Sequence, residues 1–415
     1  MEKFEIISGN ALMGEVEIEP SKNATLPILA GTILNSGIVH IEKCPKFLDV
    51  ENMLKILKDL GAKIINIDNG ISINCCYFKT VVDKNLSKLM RSSIMLLGPL
   101  LAKFKKAEVV YPGGCNIGSR PIDIHLTGLK ELGVKIKEKN GVIICDGSEM
   151  KSANVTLSFP SVGASENLIM ASVFLKGKTV ISNIAIEPEV IDLVNFLNKC
   201  GAKIKVTGRN AEITGVKELK SVKYNVITDR IILGTLMIAT AITSGKVTFK
   251  NVQPKNVANL VNILKKSGCK IDEFSDKIEL DATNNPFNNI GFIQTQVFPG
   301  FATDLQAQTL TYSTILKGTS VFLENIFESR FKYISELLKM GAKVFVKDRW
   351  AVVEGVSCLQ GAEVDAMDLR GGAALVIAGL VAKGKTIVNN VEFIDRGYYK
   401  LEETLLKLGA NIKRL

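Results

Sequence analysis

Histidine is nearly absent from this 415-residue chain: only His40 and His125 occur. A histidine-ligated metal centre or a Ser-His-Asp triad has little to draw on, so no metal and no cofactor are expected. Tryptophan occurs once and aromatic residues make up 6%, too few for the stacking platforms of a single-strand nucleic-acid binder. Arginine is scarce too, at nine of the 52 basic residues, so lysine carries most of the net charge of +10. The eight cysteines include the adjacent pair Cys75 and Cys76 but no C-x-x-C pair, which argues against a zinc or disulfide framework. No apolar run reaches the ~18 to 20 residues that a membrane span needs. The start, Met1 to Ile7, is charged and has no apolar signal core. A cytoplasmic protein is expected, with no membrane or nucleic-acid partner.

An apolar content of 47% with 23% charged residues marks a globular chain long enough for two domains. A repeat runs its whole length. A helical stretch ends in glycine and leads into a strand, as in Leu57-Lys58-Asp59-Leu60-Gly61-Ala62-Lys63-Ile64, and the pattern returns at Gly133, Gly201, Gly268, Gly341 and Gly409. The spacing is about 70 residues. A second signal, an apolar helix followed by glycine and a β-rich run, appears at Lys176-Gly177-Lys178, Ser244-Gly245-Lys246 and Lys383-Gly384-Lys385. In both, glycine is expected in the left-handed conformation that ends a helix. Each unit then reads β-α-β-α-β-β, an α/β architecture.

Six units form either one ring or two groups of three, and domain size favours the second. The last copy stops at Leu415, one strand short. An N-terminal hairpin, around Lys3–Ile7 and Glu15–Glu19, is the expected donor. This predicts a discontinuous domain, 1–20 with 229–415, and an inserted domain, 21–228. Clefts between domains favour active sites.

The stretch from Tyr111 to His125 packs three glycines, two prolines, Cys115, Arg120, Asp123 and one of the two histidines into fifteen residues. Cys115 is either a reactive thiol on a surface loop, beside an arginine that favours the thiolate, or a residue that fills space. Ser21-Lys22-Asn23 precedes an apolar helix expected at 26–34, and Met90-Arg91-Ser92-Ser93 opens another. Ser161-Val162-Gly163 turns into a third. Each is a helix start that can cap itself or grip an anion. Asp304, also at a helix start, can accept a proton from a hydroxyl. Arg330, Asp368-Leu369-Arg370 and Asp395-Arg396 recur near the same edge of successive repeats, as salt-bridge partners or as carboxylate and phosphate grips.

Pro112-Gly113-Gly114-Cys115-x-Ile117-Gly118-x-Arg120-Pro121-x-Asp123-x-His125, with Lys22-Asn23, Ser161-Val162-Gly163, Thr303-Asp304, Asn325 to Arg330, Asp368-Leu369-Arg370 and Asp395-Arg396-Gly397-Tyr398, closely resembles the UDP-N-acetylglucosamine enolpyruvyltransferase family, over essentially the whole chain. The resemblance implies a two-domain inside-out α/β barrel of three repeats per domain. It also implies reaction of phosphoenolpyruvate with the 3-hydroxyl of UDP-N-acetylglucosamine, releasing phosphate in the first committed step of peptidoglycan synthesis. By that resemblance Cys115 donates a proton and Asp304 is the candidate base. Lys22, Arg120, Arg330, Arg370 and Arg396 neutralise phosphoenolpyruvate, and Asn23 and Asp304 hold the sugar. Arg91, the segment Arg120, Pro121, Ile122, Asp123 and Ile124, the turn Ser161, Val162 and Gly163, and Ile326 line the sugar-nucleotide site.

The chain departs from the family at Phe159-Pro160, where some members have a lysine, at Ile232, where glutamate is usual, and at 297–302. Other readings are a diverged, less active copy and a related enolpyruvyltransferase acting on another phosphorylated hydroxy substrate, such as shikimate 3-phosphate. A basic repeat-built clamp on nucleic acid is a third, disfavoured by dispersed arginines and few aromatics.

Overall fold

The computed structural model describes residues 2–75, 79–111, 117–118 and 121–415. They form two compact units. One comprises residues up to Glu19, 117–118 and Thr228–Leu415; the other is the remainder between Pro20 and Ile227.

Every repeat contains one helix buried on nearly all sides. Arg230–Ile242 is apolar or small on all sides after its arginine, a pattern that is stable only when surrounded, and residues 231–242 are all buried. Gln306–Ser313 and Leu369–Gly379 are buried in the same way, and the three helices pack on one another. In the other unit the buried helices are Lys22–Gly31, Leu97–Phe104 and Val162–Ser172. Strands alternate around them. In Lys246–Lys250 the residues Val247 and Phe249 face inward while Lys246 and Lys250 are exposed. Helices inside and sheets outside make each unit an α/β barrel turned inside out.

The other helix of each repeat is amphipathic, as in Pro188–Lys199, where Pro188 suits the first turn. The six repeat glycines that follow these helices all have φ between 84° and 115°, where a side chain would be strained. Gly245 departs from the expectation. Ser244 takes the left-handed turn at φ 53°, and Gly245 is needed because a Cβ would lie 2.2 Å from the Leu12 carbonyl oxygen.

Among the described residues five of the six sheets have four strands. In one, Asn154–Thr156 runs parallel to Lys178–Ser182, which pairs antiparallel with Asn210–Thr214, and Lys203–Thr207 closes the edge. Phe4–Ile7 pairs antiparallel with both Lys385–Asn389 and Asn411–Arg414, in the place where the last copy is a strand short. The N-terminal strands are not a hairpin, however. Met13–Glu17 lies parallel to Lys246–Lys250 in a different sheet. Each of the two strands fills a slot in a different repeat, and those pairings replace the local one. Val222–Asn225 likewise opens the sheet of Ile38–Glu42. Among the described residues the sheet of Lys106–Val110, Lys135–Lys139 and Val142–Asp146 has three strands. Val81 makes a single parallel bridge to Glu108 beside it.

Among the described residues no helix is long and apolar enough to cross a membrane. Phe4 is fully buried between its two partner strands. Phe4→Ala is expected to destabilise its unit by about 3–5 kcal/mol, read as a lower urea midpoint with the starting circular dichroism unchanged.

Candidate active site

The buried helices cannot leave their first N–H groups unsatisfied, so each start is built from polar residues. Ser21 Oγ accepts from the Ala24 N–H and Ser161 Oγ from the Ala164 N–H, both at 3.4 Å. Asp229 accepts from Ile231 and Ile232, and Asp368 from Arg370 and Gly371. The remaining two helices are entered through 3-10 turns, Arg91–Leu96 and Thr303–Leu305. Lys22, Asn23, Arg91, Ser161, Val162, Gly163, Asp304 and Arg370 therefore all sit at starts of buried helices. The first of these helices begins at Lys22 rather than at Leu26, because Ser21 is its cap. Within it Pro27 has no N–H to give the Asn23 carbonyl four residues earlier.

In the first unit Asp304 is shared by two arginines. Arg330 Nη2 donates to its Oδ1 and Arg370 Nη2 to its Oδ2, each at 2.9 Å. Both arginine side chains are only 3% exposed, against 27% for Asp304. Arg330 Nη2 also donates to the Thr303 carbonyl. Two buried cations thus share one carboxylate, and among the described residues the Arg330 Nε and the Arg370 Nε and Nη1 have no hydrogen-bond partner. Unpaired buried donors of charged groups are costly, so the arrangement suits an anion. Arg370 lies 5.3 Å from the centre of the Tyr398 ring. The Tyr398 hydroxyl is 2.8 Å from Thr235 Oγ1 and accepts from Gln308 Nε2 at 3.2 Å. Arg396 is half-buried at the end of the short helix Glu392–Asp395, two residues before Tyr398. Its neighbour Asp395 is committed to Arg414, through bonds of 2.8 and 2.9 Å.

Glu324 was not singled out by sequence reasoning. Buried, it accepts from the N–H groups of Ile326 and Phe327 and from the hydroxyls of Thr295 and Thr303. It thereby fixes Ile326 beside the turn that carries Asp304. A glutamate closing an apolar strand gave no sign of this.

In the second unit Lys22 Nζ lies 2.6 Å from Asp49 Oδ2, both nearly buried. Asp49 was also missed, since an acid in a first helical turn reads as an ordinary dipole partner. Ser161 spends its oxygen as a cap acceptor, which leaves the hydroxyl hydrogen for a ligand. Pro121 is exposed and Ile122 buried, and Asp123 and Ile124 open the helix Asp123–Glu131. His125 on that helix is buried against Gly163. Burial and the charge of Arg91, opposed by Asp123, push it down to about 4. Glu166 is fully buried and has no hydrogen-bond partner among the described residues. Burial, with Glu189 and Glu187 nearby, holds its carboxyl well above the usual range. Cys115 and Arg120 lie outside the described residues. Among the described residues no group of three metal-ligating side chains is placed to hold an ion.

Units of three βαβαββ repeats around buried helices define the class: an enolpyruvyl-transferase fold. NikO, an enolpyruvyl transferase from Streptomyces tendae, has a TM-score of 0.88 at 22% identity, covering 100% of this chain and 98% of that one. EPSP synthase from Acinetobacter baumannii has a TM-score of 0.74 at 18% identity, covering 100% of both. At these identities the likeness is one of fold. The chain belongs to the EPSP synthase (3-phosphoshikimate 1-carboxyvinyltransferase) family, whose model matches residues 6–405. Among its relatives, UDP-N-acetylglucosamine 1-carboxyvinyltransferase 2 of Caldanaerobacter subterraneus subsp. tengcongensis is 46% identical over 417 residues, 100% of both chains. The UDP-N-acetylglucosamine 1-carboxyvinyltransferase of Pelagibacter ubique is 43% identical over 418 residues, again 100% of both.

Glu166 gives a test of burial. Its folded-state affinity for a proton exceeds the unfolded one, so its contribution to stability is lost as pH rises above about 4.3. The stability of Glu166→Gln relative to the natural protein is expected to increase from about pH 5 to about pH 8 in urea unfolding. A constant difference would rule out the neutral carboxyl.

Proposed function

We propose that the protein transfers the enolpyruvyl group of phosphoenolpyruvate to the 3-hydroxyl of UDP-N-acetylglucosamine and releases phosphate. The observation that carries the reading is the pair of buried arginines around Asp304, three of whose nitrogens lack a hydrogen-bond partner among the described residues. The names of relatives 43–46% identical over the whole chain support the substrates. In this reading residues 1–20 and 229–415 make the enolpyruvyltransferase domain, and 21–228 is the insertion that carries the Cys115 loop.

The sugar hydroxyl adds to C2 of phosphoenolpyruvate while Cys115 gives a proton to C3. The tetrahedral intermediate then loses a proton from C3 and expels phosphate, restoring the double bond. Lys22, Arg120, Arg330, Arg370 and Arg396 offset the charge of the phosphate and carboxylate, and Asp304 takes the proton of the hydroxyl. Asn23, Arg91, Pro121 to Ile124, Ser161 to Gly163 and Ile326 hold the sugar nucleotide.

The test is phosphate release from phosphoenolpyruvate with and without UDP-N-acetylglucosamine, and with shikimate 3-phosphate in its place. Release only with the sugar nucleotide is expected; no sugar-dependent release from folded protein would sink the reading. Asp304→Asn should lower turnover about 10²- to 10⁴-fold. Fosfomycin should alkylate Cys115 selectively. Burial pushes the thiols of Cys44 and Cys145 up to about 12 and that of Cys200 to about 11, so these are poor nucleophiles. Peptide mapping that finds the label spread over other cysteines would contradict the role of Cys115.

A further inference from the structure

Asn167, in the second turn of Val162–Ser172, is fully buried and uses both ends of its amide. The Gly98 N–H donates to its Oδ1 at 2.9 Å, which fixes the end that is oxygen. Its Nδ2 donates to the Ile94 carbonyl at 2.9 Å and lies 2.8 Å from His125 Nδ1. An amide nitrogen has only hydrogens to offer, so Nδ1 accepts and the ring proton sits on Nε2. The ring stays neutral at physiological pH, because burial and Arg91 outweigh Asp123 and hold it down to about 4. A Cβ on Gly163 would lie 3.1 Å from His125 Cε1 and 3.2 Å from Nε2, so this edge of the ring meets the Ser161–Gly163 turn.

Ile94 belongs to the turn Arg91–Leu96, so one amide joins the segment bearing Arg91 to the helix bearing Ser161. The join is tight. A Cβ on Gly98 would stand 2.3 Å from the Asn167 carbonyl oxygen. Just before the turn the chain reads Phe159-Pro160 and brings no cation of its own.

We propose that Asn167 is the positioning residue of the sugar-nucleotide half-site: it sets the Arg91 segment against the Ser161–Gly163 turn and presents His125 there as a neutral Nε2–H donor. The inference rests on the sugar-nucleotide reading of that turn. A donor of this kind accepts no proton from its ligand and keeps its strength across neutral pH.

With only two histidines in the chain, long-range ¹H–¹⁵N spectra of the full-length protein read the ring directly, His125→Gln supplying the assignment. His125 should be protonated on Nε2 alone at neutral pH and stay so down to about pH 5. Its Nε2 signal should move when UDP is added. Asn167→Asp offers Nδ1 a carboxylate oxygen in place of N–H, so Nδ1 should gain a proton. KM for UDP-N-acetylglucosamine should then rise on the order of tenfold, with kcat and KM for phosphoenolpyruvate little changed. If the aspartate variant does not fold, Asn167→Ser and the UDP response of the natural protein decide. A natural ring protonated on Nδ1, or one titrating near its ordinary value, overturns the lock. The expected tautomer with an unchanged KM in a folded variant, or with no response to UDP, overturns the positioning role. Failure of the sugar-nucleotide reading shows separately, as absence of sugar-dependent phosphate release from the natural protein; it removes the role and leaves the tautomer measured.

Discussion

Each repeat buries one helix on all sides, and the rest of the architecture follows from that constraint. A helix such as Arg230–Ile242 has no face for water, so its first N–H groups must be satisfied by side chains or by a ligand. Ser21, Ser161, Asp229 and Asp368 meet the demand as caps, and 3-10 turns meet it at Arg91 and Thr303. Five of these six starts hold eight of the residues assigned to substrates. Capping and binding use the same backbone groups and the same positive end of the helix, so the two roles settle on the same positions.

Around Asp304 the balance of charge is deliberate in a physical sense. One partly exposed carboxylate cannot satisfy two guanidiniums that are almost fully buried. Among the described residues three guanidinium nitrogens lack a partner, and that cost falls on the unliganded protein. In the proposed function that cost is recovered when phosphoenolpyruvate, which carries both a carboxylate and a phosphate, completes the set. Glu324 and Tyr398 stand behind this arrangement, the first holding the turns at Thr303 and Ile326 and the second flanking Arg370.

The second unit solves a different problem, that of burying ionisable groups in their neutral forms. His125 and Glu166 are both buried in their uncharged forms. Asn167 joins three chain segments through one amide. Small residues make this possible: Gly98 lets two helix backbones nearly touch, and Gly163 leaves room for the imidazole edge.

Some of this was determined by sequence alone. Glycine is the residue that most readily takes the positive φ ending a helix, so six of them after helical stretches at regular spacing announced the repeat, and a last copy one strand short pointed to the N-terminus. Arginines in a lysine-rich chain stood out because their geometry is specific to carboxylates and phosphates. The pairing of Met13–Glu17 with Lys246–Lys250, the closing of one sheet by Val222–Asn225, and the partners Asp49, Glu324 and Asn167 were decided only by tertiary structure. A buried polar side chain acquires its role from whatever the fold brings to it from distant positions. Local sequence carries helix ends and strand periods, because those depend on neighbours three or four residues away, and says nothing of which amide will meet which imidazole.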